Sequence, residues 1–319
     1  MKLHPHGSTE SAAYAIDAGQ QVGYSRVRSL PHASLWTGKP DSWLDLLPTR
    51  YIFVSYATGV HEGQQVGYVN HISTGDTVAF LCRGTPESLV SLNPKGAAES
   101  FALGVHEGRQ VGGAVVAGVT RAGMWAGSAD TWIDLHPLGS VGSMAFGIYK
   151  GQQVGHSTLF TNADSSSHAG LWTGTAASWV DLHPAAAVDS SAVAVHQGQQ
   201  VGMAFVNGKR HASFWTGTAD SWVDLNPRGA SASDCLGVHR GMQVGWAQRY
   251  GRTHATLWTG MADSSVDLHI FLASNYTNSR AHGIWEDNEG AVYIVGEGFN
   301  SVAGRYEALM WARRKPGRR

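Results

Sequence analysis

Sixteen histidines, two cysteines and 24 acidic residues supply most of the groups able to do acid–base, nucleophilic or metal chemistry in this 319-residue chain. The histidines fall at recurring places. His32, His168, His211 and His254 each precede an Ala-x-x-Trp phrase, and His61, His106, His196 and His239 each sit just ahead of a glycine-bearing turn. His4, His136, His183 and His269 each follow a leucine. A metal site needs two or three ligands converging on one point. One histidine per recurring unit, at equal radius around a ring, would hold neighbours far apart, so no metal and no other cofactor is expected. These side chains are expected instead to join a hydrogen-bond network inside each unit, with the repeated Ser, Trp and Asp. Cys82 and Cys235 stand at different places in distant units, which argues against a disulfide. No nucleophile elbow, P-loop, zincin or EF-hand phrase occurs in the sequence. The chemistry-bearing residues that do not repeat are fewer: Asp234, Arg280 and His282, in adjacent units, could supply acid–base groups and an anion anchor.

The elements that position them follow from self-similarity. The phrase Gln-Gln-Val-Gly recurs with its valine at Val22, Val66, Val111, Val154, Val201, Val244 and, degenerately, Val295, at spacings of 44, 45, 43, 47, 43 and 51. A His-Ala-Ser-Leu-Trp-Thr-Gly phrase centres on Trp36, Trp125, Trp172, Trp215, Trp258 and Trp311, with Cys82 in the slot of the second copy. A third carries Asp45-Leu46, Ser91-Leu92, Asp134-Leu135, Asp181-Leu182, Asp224-Leu225 and Asp267-Leu268, and a fourth opens at Ser11, Ser55, Ser100, Ser143, Ser190, Ser233 and Ser279. Each is short, β-branched or aromatic, and bounded by turn residues, with no helical period between them. Four strands in about 45 residues make a propeller blade. We label them A (from the repeated Ser), B (Gln-Gln-Val-Gly), C (the tryptophan strand) and D (Asp-Leu-His-Pro).

The seventh copy has A, B and C but stops before any D phrase, and the missing Leu-His-Pro stands at the other end as Leu3-His4-Pro5. The expected fold is therefore all-β, one seven-bladed propeller over 1–319, its ring closed by the N-terminal residues and its sheet edges thereby paired. The blades are drawn at 6–48, 49–94, 95–137, 138–184, 185–227, 228–270 and 271–319 with 1–5.

The pattern Gly-x-x-Val-Gly, then His-Ala-x-x-Trp-Thr, then Asp-Leu, resembles the HAF repeats of predicted extracellular bacterial proteins over essentially the whole chain. The family's Phe position holds Ser34, Gly170, Ser213 and Thr256 in four copies. The resemblance implies a secreted or cell-surface binding role and no particular chemistry.

Residues common to every blade read as scaffold. Small residues at Ala13, Ala57, Ala102, Ala145, Ala192, Cys235 and Ala281, and again two positions on, let the inner strands crowd the axis. The tryptophans, including Trp43, Trp132, Trp179 and Trp222 ahead of strand D, are expected to pack between blades. Positions that vary inside this frame are the functional candidates. The B–C and D–A connections vary and share one face, where loops carry function. After the repeated Ser, strand A reads Ala12, Tyr56, Phe101, Met144, Ser191, Asp234 and Arg280, and two positions on Tyr14, Thr58, Leu103, Phe146, Val193, Leu236 and His282. Tyr56, Phe101 and Met144 would form an apolar arc, and Asp234 and Arg280 an ion pair opposite it. With Tyr14 and His282 these seven are the expected ligand-binding residues.

Lys+Arg 23 against Asp+Glu 24 leaves a net charge of −1, without the cationic excess that phosphate tracking needs, so nucleic acid is not an expected partner. The basic tail Arg313, Arg314, Lys315, Arg318 and Arg319 reads as a solvated end. No stretch is long and apolar enough to insert in a bilayer, and the opening residues lack a charged-then-apolar signal pattern. Two functions follow. The first is a monomeric binding propeller for a small polar ligand, glycan or protein at the B–C and D–A face. The other is an enzyme of lyase, isomerase or hydrolase type working at the axial mouth through His282, Asp234 and Arg280.

Overall fold

The computed structural model describes residues 1–46, 53–71, 75–161 and 164–313. Within them the chain forms six four-stranded antiparallel sheets in simple A-B-C-D order and one of three strands in A-B-C order. This is the expected seven-bladed propeller. In blade 1, strand A is Glu10–Asp17, B is Gln20–Val27, C is Leu30–Trp36 and D is Leu44–Asp45. Blade 7 has A at Tyr276–Glu286, B at Val292–Asn300 and C at Arg305–Arg313.

The N-terminus supplies the missing edge of blade 7. Lys2 bridges Leu309 in antiparallel register, and the Leu3 N–H donates to the Ala308 carbonyl at 2.8 Å. The same bond joins strands D and C in the other blades, for example Leu46 to Ala33 at 2.9 Å and Leu182 to Ala169 at 2.8 Å. Beneath it Glu307, wholly buried, gathers Lys2 at 2.8 Å, Arg305 at 3.0 Å, Tyr276 at 2.7 Å and Asn300 at 3.2 Å. Burial alone would raise this carboxyl, but those four donors outweigh it and hold it down at about 2.

One serine per blade ties the ring together. The strand-C Ala N–H donates to the strand-A serine of the next blade, from Ala33 to Ser55 at 2.8 Å through Ala255 to Ser279 at 3.0 Å. Ala308 reaches Ser11 at 2.9 Å and closes the circle. Among the described residues, six of these serine hydroxyls, all but that of Ser55, then meet the residue after the D-strand leucine of the preceding blade. His4 Nδ1 lies 2.6 Å from Ser11, His136 2.7 Å from Ser143, and His183 2.8 Å from Ser190. Their Nε2 atoms face carbonyls, of Ser8, Ser140 and Ala187, so Nε2 carries the proton and Nδ1 accepts from the hydroxyl. Asn93 and Asn226 do the same with a side-chain carbonyl, which explains why Asn-Pro replaces His-Pro in those blades.

The expected within-blade histidine network is thus only half of the arrangement. The strand-C histidines do bond their own blade's Asp, as His32 to Asp45 at 2.7 Å and His211 to Asp224 at 2.7 Å. The D-strand histidines bond across the seam instead.

A β-bulge recurs in strand A of every blade, between Ala13 and Ala15 in blade 1 and between Ala281 and Gly283 in blade 7. It explains the invariant glycine of strand B. A Cβ on Gly67 would stand 1.9 Å from the Tyr56 carbonyl oxygen, and one on Gly155 1.9 Å from that of Met144. The bulged residue is turned to the axis. Trp36, Trp125, Trp172, Trp215 and Trp258 are wholly buried, each in a cluster that spans two blades, as the sequence suggested. Cys82 and Cys235 are buried free thiols, and burial pushes Cys82 up to about 12.

Candidate functional site

Strand A runs from the B–C and D–A face to the A–B face, so its residues stack in tiers around the axis. The bulged residues Tyr14, Thr58, Leu103, Phe146, Val193, Leu236 and His282 line a channel of about 210 Å³. Below them Ala15, Gly59, Gly104, Gly147, Ala194, Gly237 and Gly283 form a waist. A Cβ at Gly104 would lie 2.8 Å from the Phe146 carbonyl oxygen of the neighbouring blade, which is why small residues are repeated there.

The tier above the channel holds Ala12, Tyr56, Phe101, Met144, Ser191, Asp234 and Arg280. Each faces a strand-B partner across the ladder: Tyr24, Tyr68, Gly113, His156, Met203, Trp246 and Glu297. These partners join the expected arc into one aromatic chain. His282 stands edge-on to Tyr14 with ring centres 5.3 Å apart, and Tyr14 lies 5.8 Å from Tyr24. The chain continues through Tyr24–Tyr56 at 5.3 Å, Tyr56–Tyr68 at 5.4 Å and Tyr68–Phe101 at 5.5 Å. Met144 follows, its sulfur over Gly113, where a Cβ would be 2.5 Å away. Burial raises the hydroxyls of Tyr14, Tyr24, Tyr56 and Tyr68, so all four stay protonated donors.

The charged half is arranged differently from the expected Asp234–Arg280 pair. Arg210, at the B–C hairpin of blade 5, reaches across the seam and pairs Asp234 Oδ2 at 3.1 Å. Arg280 turns instead to Glu297, its cross-strand partner, at 3.6 Å, with its guanidinium 5.8 Å from the Trp246 ring. His282 Nε2 lies 3.7 Å from the same Glu297 oxygen. Cross-strand distance is fixed by the ladder, so Arg280 meets Glu297 on its own sheet, while the long Arg210 side chain reaches Asp234 from the hairpin of the preceding blade.

Asp234 is 5% exposed and its Oδ1 accepts no hydrogen bond among the described residues. Burial dominates its titration and pushes the carboxyl up to about 6, against the pull of Arg210, the Cys235 backbone N–H, Arg280 and His282. Glu297, 8% exposed, moves the other way: burial would raise it, but His282 and Arg280 outweigh that and lower it. His282 Nε2 is likewise buried without a hydrogen-bond partner among the described residues. The site therefore presents a buried, one-sided carboxylate facing Trp246 across the ladder, in the same tier as the phenol of Tyr56. It is complementary to a ligand carrying a hydrogen-bond donor or a positive charge.

The sequence reading missed Tyr24, Tyr68, Trp246, Glu297 and Arg210. The first four vary at one fixed position, the residue after the strand-B glycine, and the rule applied to strand A would have found them. Part of the variable B–C loop of blade 4, Asn162-Ala163, lies outside the described residues, as do Arg314, Lys315, Arg318 and Arg319 of the basic tail.

At the opposite mouth the A–B-turn histidines correct a second expectation. Ring centres of His61 and His106 are 4.1 Å apart, and of His196 and His239 4.3 Å, with Tyr149 bridging His106 and His196 at 4.6 and 4.3 Å. The inner strands crowd this end so closely that neighbouring imidazoles stack rather than stand apart. No group of three or more His, Cys, Asp or Glu able to hold a metal ion occurs among the described residues. The imidazole Nδ1 atoms accept backbone N–H bonds from the next blade, of Glu107 to His61 at 3.2 Å, Lys150 to His106 at 3.4 Å and Arg240 to His196 at 3.1 Å.

No family model and no curated protein matches the chain. Its backbone does match solved propellers. A puromycin hydrolase superposes with a TM-score of 0.60 at 12% identity over 96% of this chain, which spans only 53% of that enzyme. The β-propeller domain of the Trilobed protease from Pyrococcus furiosus gives 0.62 at 6% identity, covering 96% of each chain. TolB from Acinetobacter baumannii gives 0.52 at 9% identity, over 82% of this chain and 64% of that one. At such identities the likeness is one of fold.

Proposed function

We propose that this protein is a binding propeller that takes a small polar ligand at the axial mouth on its B–C and D–A face. One observation carries the reading: Asp234 keeps a buried carboxylate oxygen without a hydrogen-bond partner among the described residues, in the same tier of strand A as Tyr56 and Phe101. Leaving such an oxygen empty costs about 1–3 kcal/mol, and a ligand ammonium, amide or hydroxyl would recover it. The phenols of Tyr24, Tyr56 and Tyr68 offer stacking faces of the kind that amines and sugars use. The resemblance to HAF repeats would place such a protein in secretion or at the cell surface.

The enzyme alternative requires Asp234, Arg280 and His282 to act on one point. Arg280 and His282 both turn to Glu297, which favours binding over acid–base turnover. The test is thermal-shift screening of amines, amino acids and mono- and disaccharides against wild type, Asp234→Asn and Tyr56→Ala/Phe101→Ala. A compound that stabilises wild type and neither variant supports the reading. Stabilisation that survives all three substitutions would overturn it.

A further inference from the structure

Every seam between neighbouring blades has room near its outer edge for one ring beyond the strand-C tryptophan. At the seam of blades 7 and 1 the ring is Trp43, packed on the cluster of Leu3, Trp36 and Met310. Trp132, Trp179 and Trp222 do the same at the next blades that carry this tryptophan. Two blades lack it, and each is compensated. In blade 2 the residue is Leu89, and Phe80 fills the seam with blade 1, buried among Val22, Leu35 and Cys82. In blade 6 it is Ser265, and Phe214 of blade 5 packs towards Trp258.

The seam of blades 6 and 7 breaks the rule. Strand D of blade 7 comes from the N-terminus, and among the described residues no aromatic side chain takes the tryptophan's place. The residue equivalent to Phe214 is Leu257. What remains is a cavity of about 460 Å³ lined chiefly by Leu257, Val266, Leu268, Val292, Ile294 and Trp311. Leu268, Trp311 and Leu257 are the repeat counterparts of Leu3, Trp36 and Met310, the residues that hold the indole of Trp43. Arg313 and Phe271 also line the cavity, Phe271 at its solvent side, 66% exposed.

We propose that this cavity binds a free planar aromatic molecule of the indole class. The rest of the ring supplies the template: four seams show that these walls accept an indole, and two more show that they accept a phenyl group. Apolar cavities of only about 150 Å³ already take up benzene. Arg313 adds a cation to the lining, so an indole bearing a carboxylate binds more tightly than indole itself.

The probes are indole and indole-3-acetate, titrated calorimetrically into the full chain. Saturable one-to-one binding is expected, weakened roughly tenfold or more by Leu257→Phe, which fills the cavity with the residue blade 5 already carries. Because Phe214 occupies the equivalent place in a folded blade, that variant should keep the wild-type unfolding transition, which scanning calorimetry checks. Absence of saturable binding to wild type overturns the proposal, as does binding that Leu257→Phe leaves intact. Binding that emerges only when residues 314–319 are removed overturns it too, since the tail would then be the occupant.

Discussion

Asp234 carries two opposed demands. Its Oδ2 is held by Arg210 and its Oδ1 by nothing among the described residues, so burial wins and the carboxyl titrates near 6. The sign follows directly. Above pH 6 the folded protein offers a carboxylate to a cationic or donor ligand, and below it offers a neutral acid. Affinity for such a ligand should fall as pH drops from 7.5 to 5, and Asp234→Asn should weaken binding at pH 7.5 and flatten the pH profile. Titration at both pH values checks this; a profile that stays steep in the variant would move the titrating group elsewhere. Of the seven residues expected from sequence, five stand in the tier at this mouth and Tyr14 and His282 line the channel beneath it, positions found because variation inside a fixed repeat marks freedom from the scaffold. Their pairing was not legible. Arg210 comes from a hairpin whose reach no spacing encodes, and Glu297 faces Arg280 only once the bulge has set the A–B register.

At the level of strands, the serine relay is the joint between blades. In Ser143→Ala the Ala122 N–H and the His136 Nδ1 lose their partner in a buried seam, at a cost of about 2 kcal/mol. Urea denaturation should show that loss as a lower midpoint, and Ser143→Thr should restore part of it if the added methyl is accommodated. A midpoint unchanged in the alanine variant would mean the relay is structurally idle. Strand phrases and their order were readable because each copy repeats its turn residues and its 2-residue alternation. The bulge was not: it changes no residue count between repeats, and only the glycine of strand B, repeated in every blade, betrays it. The seam-crossing role of His136 and His183 was hidden likewise, since sequence neighbours of the D-strand histidine belong to its own blade and the next one alike.

For the whole ring, closure by Leu3-His4 was legible from a phrase missing at one end and present at the other. The crowding of the A–B mouth was not, since sequence carries no radius. That crowding couples the ring to proton concentration. Burial first, then neighbouring cations and imidazoles, lower His106, His239 and His196, the last to about 4. Lys150 and Arg240 act with the burial, while Asp17, Glu62, Glu107 and Glu286 oppose it. Burial holds His4, at the closing seam, at about 4 as well. Their folded values lie below the unfolded value near 6.5, so the unfolded chain binds more protons in the interval between. Stability is complete above pH 6.5 and drains as pH falls towards 4, on the order of 2 kcal/mol for each of His4 and His196. Denaturant midpoints from pH 7.5 to 4.5 should decline accordingly. A flat series would mean the histidines accept protons without disturbing the ring.

The closing sheet has a mechanical side as well. Met1 and Met310 exchange backbone bonds at 2.6 and 2.8 Å, and Leu3 follows at Ala308. The two segments run antiparallel, so residue 1 and residue 313 leave the sheet at the same edge. Tension applied at those two points meets the bonds in succession, like the teeth of a zip, and each gives way before the next is loaded. The propeller thus opens at one low-force fastening, while its other six blades, each a continuous run of chain, stay outside the line of pull.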